Sequence, residues 1–242
     1  MFVGQNIINL KSVDSTNSFL VNASSETSIV EGTLVVADEQ YQGRGQRENS
    51  WQSERGKSLT FSVLLYPKIG VNQQFSFNKC ISLAVCQALR RYRIDAFIKW
   101  PNDIFVHDKK VAGILIENSI QHKIMTKTVV GIGINVNNEQ FDLPMAISLK
   151  MVTSKAMNIS GLLGVLCEEI EKHYLLLKSN RKIISQKYNE HLYKLNSPSQ
   201  FIKNGKSICG IIKEVDDFGR LVVEMNGVLN RYSMGELRFD FF

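Results

Sequence analysis

Residues 94–137 constrain the fold more than any other stretch, because they hold four short apolar runs separated by turn-forming residues. The runs at 94–100, 104–106, 111–117 and 127–137 are rich in β-branched and aromatic side chains, with Pro101-Asn102-Asp103, His107-Asp108-Lys109 and Gln121-His122-Lys123 between them. They predict a mixed or antiparallel sheet at the centre of the chain. Two further buried strands, at 33–38 and 58–66, flank a polar loop, and a helix over 78–92 keeps Ile81, Val85, Ala88 and Leu89 on one face. Ser15, Thr16 and Asn17 precede Phe19, Leu20 and Val21 and read as a helix N-terminus whose free amides can receive an anion. Leu162, Leu163, Leu166, Ile170, Tyr174 and Leu177 form a helical stripe, and residues 181–195 a weaker one. After Asn196-Ser197-Pro198 the texture changes to short strands at 207–215, 221–225 and 228–233, with Gly219, Gly227 and Gly235 at turns. That pattern predicts a small β-barrel-like domain over 196–242, following a larger one over 1–195.

Composition narrows the function. With 242 residues, 44% of them hydrophobic, one substantial core and a small second unit can form. There is no secretory leader and no run of roughly 18 apolar residues, so the expected location is cytoplasmic, with no membrane partner. Cys80, Cys86, Cys167 and Cys209 show no CxxC spacing and read as reduced, structural thiols; the four histidines form no HExxH. The net charge of +6 admits nucleic acid but equally suits an enzyme acting on ATP, and the basic residues are dispersed without the aromatic interleaving of a stacking platform.

Four segments carry candidate chemistry. GRGQRENSW at 43–51 puts two glycines, two arginines and an indole on one loop, a composition suited to wrapping a carboxylate or phosphate ester. KWPND at 99–103 groups a cation, an indole, an amide and a carboxylate at a strand end; it reads either as a site turn, with Asp103 holding magnesium against phosphate, or as a structural Asx-type turn. Lys110 leads into VAGILIE and is a solvated strand-entrance lysine unless its ammonium points inward, where it would neutralise developing charge. Gly131 and Gly133 interrupt an apolar strand, which signals either a bulge or the close approach of a ligand or another backbone, and Asn135 beside them can read a nucleotide or bond only locally. Two phosphate-loop patterns fail, since Trp51 and Gln200 stand where the first glycine belongs before Gly56-Lys57-Ser58 and Gly205-Lys206-Ser207. The dinucleotide pattern begun by Gly43 and Gly45 has Glu48 at its third glycine.

STN at 15–17, Gln40 with GRGQRENSW, KWPNDI at 99–104, KKVAGILIE at 109–117 and GIGINVN at 131–137 together resemble biotin protein ligase, in order and spacing, over nearly the whole chain. Gly210, Asp216-Asp217, Gly219, Leu221, Gly227 and Gly235-Glu236 are similar to that family's C-terminal SH3-like domain. The resemblance implies an α+β fold of the class II synthetase and biotinyl/lipoyl transferase type, with a mixed sheet flanked by helices and a C-terminal SH3-like β-barrel. It implies ATP, magnesium and biotin as ligands, a biotin carboxyl carrier protein domain as partner, and a two-step reaction through biotinoyl-5′-AMP.

By the same resemblance, Ser15, Thr16, Asn17, Gln40, Gly43, Arg44, Gly45, Gln46, Lys110 and Gly113 would meet biotin. Arg44, Gln46, Trp51, Lys99, Asn102 and Asn135 would meet the nucleotide, Asp103 the magnesium, and Lys110 with Arg44 would act in the chemistry. Many members carry arginine where Gln46 stands and glycine where Glu48 stands, and Arg47 is expected to compensate the lost charge. Too few residues precede Ser15 for a helix-turn-helix unit, so no DNA binding is expected. A homodimer through an exposed strand edge at 131–137 is a further expectation. The competing readings are a lipoate-protein ligase, a non-catalytic biotin or nucleotide sensor and, below these, a nucleic-acid-binding protein.

Overall fold

The computed structural model describes residues 1–46 and 49–241, so Arg47 and Glu48, the former expected to compensate for Gln46, lie outside the described residues. In chain order the first part runs β1 (Ile7–Leu10), α1 (Thr16–Glu26), β2 (Leu34–Ala37), β3 (Ser58–Leu65), β4 (Ile69–Gly70) and α2 (Gln74–Arg91). It continues with β5 (Phe97–Lys99), β6 (Asp103–Val106), β7 (Lys109–Gln121), β8 (Ile124–Asn135), α3 (Leu149–Thr153), α4 (Ile159–Ser179) and α5 (Arg181–Glu190). Strands β1 to β8 make one mixed sheet in the order β1-β2-β3-β8-β7-β6-β5, with β4 also on β8. The β1–β2 pair is parallel and the other ladders antiparallel.

Alternation along the central strands explains the layering. Leu34, Val63 and Leu65 face the large core under α2 and α4, whereas Val35 and Leu64 pack with Leu20 of α1 on the opposite face. All eight residues of β3 are buried, as a strand covered on both faces must be. The tips of the β6–β7 and β7–β8 hairpins place His107-Asp108 and His122-Lys123 in consecutive left-handed conformations, the backbone signature of a type I′ turn. Three of the cysteines are buried, and burial pushes the Cys86 thiol up to about 12 and that of Cys167 to about 11.

The second part contains β9 (Pro198–Lys203), β10 (Lys206–Val215), β11 (Leu221–Met225), β12 (Val228–Tyr232) and β13 (Arg238–Phe239), all antiparallel in the order β12-β11-β10-β9-β13. These five strands make the C-terminal antiparallel sheet, and among the described residues no ladder joins β12 to β13 to close it into a barrel. It is fastened to the first sheet by its β10–β11 turn. Trp100 Nε1 donates to Gly219 O at 2.9 Å, and the buried Lys79 ammonium donates to Val215 O and Ser185 Oγ, each at 2.7 Å. Burial lowers the pKa of Lys79.

Several sequence expectations change. The strand expected over 94–100 is only Phe97–Lys99, and the helix expected over 181–195 stops at Glu190. Residues 94–96 turn out of α2, with Ile94 N donating to Leu89 O at 3.4 Å and Ala96 N to Ile94 O at 2.9 Å, and the backbone after α5 leaves the helix to pair with β5, with Ile98 N donating to His191 O at 2.8 Å and Tyr193 N to Ile98 O at 2.9 Å. Pro198 opens strand β9 instead of ending a turn, a position that proline tolerates because it is the first residue. β8 lies between β3 and β7 and is bonded on both sides, so residues 131–135 have no free edge for the expected homodimer.

Replacing Trp100 by phenylalanine leaves the Gly219 carbonyl without its buried donor. Trp100→Phe is expected to lower the unfolding free energy by about 1–3 kcal/mol, read from urea denaturation; an unchanged midpoint would show that this bond does not fasten the two sheets.

Candidate active site

The β7–β8 ladder sets the floor of the site. Gly113 stands opposite Gly133 in its register, and Leu115 opposite Gly131. A Cβ added at Gly133 would lie closer than 3.0 Å to the Trp51 indole, and one at Gly113 would lie 3.2 Å from Trp51 Cζ3. A Cβ at Gly131 would collide with the Asn17 side chain. The glycines are therefore a bed for two side chains, an indole and an amide. The close approach anticipated from the sequence is real, but what approaches is neither a bulge nor another backbone.

Lys110 reaches this floor because of a strand irregularity. Ile104 pairs with Ala112 while the next residue, Phe105, pairs with Lys110, so Val111 is the extra residue of a β-bulge. In a regular strand Lys110 and Gly113, three residues apart, point to opposite faces; the extra residue turns them to the same one. The ammonium accordingly lies 3.2 Å from the position of a Gly113 Cβ, 2.7 Å from Asp103 Oδ1 and 5.7 Å from the Trp51 ring centroid. The Lys110 backbone is held from outside the hairpin, donating to Met145 O at 2.7 Å and accepting from Ile147 N at 3.0 Å. The condition on which the role of Lys110 depended, an inward ammonium, is met.

Asp103 has lysines on both oxygens, Lys110 on Oδ1 and Lys99 on Oδ2 at 3.5 Å. Among the described residues no group of three or more His, Cys, Asp or Glu side chains comes together. One carboxylate already shared by two ammoniums does not fit a protein-built metal site, whereas two ammoniums at one strand end fit phosphate oxygens. Asp103 alone is no metal cage, and a magnesium ion here would take its remaining oxygens from a ligand's phosphates; the two lysines add positive charge at the same strand end. Asn102 lies in the same turn, and its Nδ2 donates to Ile114 O at 2.8 Å, tying the turn to β7.

At the other end of the cavity a chain of polar side chains lies on β3 and α1. Thr16 donates to Gln40 Oε1 from both its amide, at 2.8 Å, and its hydroxyl, at 3.0 Å; Gln40 thus caps α1 from a distant segment, and this amide is not open to an anion. Ser62 Oγ stands 2.7 Å from Thr16 Oγ1 and 2.6 Å from Asn17 Oδ1. Asn17 Nδ2 donates to Glu117 Oε2 at 2.8 Å.

The loop over this floor folds back on itself. Trp51 N donates to Gly43 O at 2.8 Å and Gly45 N to Asn49 O at 2.7 Å, with a bridge between Arg44 and Ser50. Arg44 pairs through Nη2 with Glu117 Oε1 at 2.9 Å and is half-exposed. Trp51 Nε1 is buried and has no hydrogen-bond partner among the described residues.

These parts enclose one cavity of about 270 Å³. Ser15, Thr16, Asn17, Gln40, Arg44, Gly45, Gln46, Trp51, Lys99, Asn102, Asp103, Lys110 and Gly113 all line it. Gly43 and Asn135 do not: Gly43 is packed under the Trp51 carbonyl, and Asn135 Nδ2 donates to Ile147 O at 3.2 Å, holding the segment that clamps Lys110. Met234 and Gly235 also line it and were not expected, nor were Ser62 and Glu117, which bond to the lining residues Thr16, Asn17 and Arg44 from behind. Met234 and Gly235, from the segment between β12 and β13, carry the second sheet into the cavity wall. Glu117 and Gly235 stood inside the KKVAGILIE and Gly235-Glu236 patterns without being assigned to the site, and Ser62 showed only as the lone hydroxyl inside the apolar run FSVLL.

A methyl group at position 133 occupies the space of the indole. Gly133→Ala is expected to turn Trp51 out, shifting its fluorescence to the red and exposing it to acrylamide, with Trp51→Phe used to subtract the signal of Trp100. Gly164→Ala, where nothing lies within 4 Å of the Cβ position, should leave the emission unchanged. Equal emission from both alanine variants would contradict the glycine-bed geometry.

Residues 10–135 match the family model described as Biotin/lipoate A/B protein ligase family. The bifunctional ligase/repressor BirA of Escherichia coli is 30% identical over 246 residues, an alignment covering 97% of this chain and 74% of that protein. BirA of Bacillus spizizenii is 32% identical over 178 residues, which cover 71% of this chain, and the chain spans only about half, 54%, of that relative's length. The solved structure of biotin protein ligase from Aquifex aeolicus in complex with biotin and ATP superposes with a TM-score of 0.81 at 28% identity, covering 98% of this chain and 100% of that one. No described helix is long and apolar enough to cross a membrane. The matched half of the sequence is the part that builds the floor, the lysines and the polar chain, and the chain belongs to the biotin/lipoate A/B protein ligase family.

Proposed function

We propose that this protein activates biotin with ATP and transfers it to a lysine of a biotin carboxyl carrier domain. The observation that carries the reading is the inward Lys110, beside Lys99 and the Trp51 indole, in one cavity with the Thr16-Gln40-Asn17 polar chain. A carboxylic acid held by the polar chain directs its carboxylate toward Lys110, and the triphosphate lies along the two ammoniums with its base near the indole. In the first step a carboxylate oxygen attacks the α-phosphorus, the bond to the β-phosphate oxygen breaks and pyrophosphate leaves. In the second, the acceptor amine attacks the acyl carbon, the bond to AMP breaks and the amine loses its proton. Both steps gather negative charge next to Lys110, which is in place before the reaction and needs no reorganisation.

The loop over residues 43–51 supports the same reading from another side. A mixed anhydride is destroyed by water, and an indole packed against Gly113 and Gly133 would exclude water from the reacting atoms. ATP is supplied in the cytoplasm, and the buried thiols suit a reducing compartment, so we place the activity there.

The test is to incubate the protein with ATP, magnesium and an acceptor carrier domain, and with biotin, lipoate or octanoate in turn, and to weigh the acceptor. Mass addition is expected with biotin alone. Lys110→Met should slow the biotin reaction by about 10²–10³-fold. Addition of lipoate without biotin, or a Lys110→Met enzyme of ordinary rate, would overturn the reading.

A further inference from the structure

Glu117 closes β7's run of apolar residues, and its two carboxylate oxygens go to two different parts of the site. Oε1 takes the Arg44 guanidinium of the glycine-rich loop at 2.9 Å, and Oε2 takes the Asn17 amide of α1 at 2.8 Å. Arg44 also reaches Ser18 Oγ, at 3.4 Å, so it spans from β7 to α1 across the mouth of the cavity. The same contact fixes which way Asn17 faces: with Nδ2 given to Glu117 and to Leu115 O at 3.4 Å, Oδ1 is the atom left beside Ser62. An exposed ion pair alone contributes little to stability, but a carboxylate divided between the covering loop and the acid-binding chain does something an isolated pair does not. It makes the position of the loop depend on the orientation of the amide that lines the acid end.

We propose that Glu117 is a positioning residue that couples closure of the loop at Arg44 to the arrangement of Asn17, so that the acid-binding end and the covering loop are set together. Glu117 touches neither reacting atom; it acts through Arg44 and Asn17. This proposal rests on the carboxylic-acid reading given above only for its kinetic consequence.

The test uses Glu117→Gln in the full chain, with two readouts. In the absence of any substrate, trypsin cleavage after Arg44 should be faster in the variant by roughly tenfold, since a hydrogen bond to a charged group holds the loop in the parent. In the biotin reaction the KM for the acid should rise by a similar factor and kcat should fall less than KM rises, because Lys110 itself is untouched. Arg44→Gln should reproduce the trypsin-independent part, the rise in KM, and adding Glu117→Gln to it should cost much less than in the parent. Equal cleavage of parent and variant overturns the coupling, as does a fall in kcat at constant KM or full additivity of the two substitutions. If the parent activates no acid at all, the proposed function fails while the cleavage comparison still decides the latch.

Discussion

The site depends on the register of one ladder, β7 on β8. That register sets Gly113 across from Gly133, and the single extra residue at Val111 then turns Lys110 toward the surface those glycines leave bare. A flat, side-chain-free patch in the middle of a sheet costs strand stability, because glycine adds chain entropy and removes packing. The indole of Trp51 and the amide of Asn17 restore that packing from above. The floor is thus completed by side chains from segments distant in sequence, Asn17 and Trp51.

The second sheet takes part in that assembly. Its β10–β11 turn is grasped at Val215 by the buried Lys79 and at Gly219 by Trp100, and Trp100 is the immediate neighbour of Lys99. The strand end that presents Lys99, Asn102 and Asp103 is therefore braced on one side by β7, through Asn102, and on the other by the C-terminal sheet. Met234 and Gly235 extend the same sheet to the cavity wall. The Asp103 carboxylate between the two lysines offsets their mutual repulsion, and the braces fix where that carboxylate stands.

Much of this was legible in the sequence, and for identifiable reasons. The long helices and the central strands follow from apolar periodicity, and the segments that resemble biotin protein ligase are those that meet at the cavity. What periodicity does not carry is register. The bulge at Val111 changes no residue type, yet it decides whether Lys110 is a surface cation or a site group. Gly131 and Gly133 announced a close approach without saying what approached, since the partners, Asn17 and Trp51, are distant in sequence. Asn135 could be read from the sequence either as a nucleotide contact or as a local bond; the structure gives it the Ile147 carbonyl as a partner for Nδ2. Glu117 was hidden for the opposite reason: at the end of an apolar strand it looks like an ordinary solvated carboxylate.

In the proposed reaction this cavity joins a carboxylate to the α-phosphate of ATP at Lys110. The most direct measurement is exchange of labelled pyrophosphate into ATP with no carrier domain present, because exchange requires the first step to run in both directions and nothing else. Exchange that appears only when biotin is added is the predicted result. Biotin binding without exchange, or exchange supported by lipoate and not by biotin, would contradict the account.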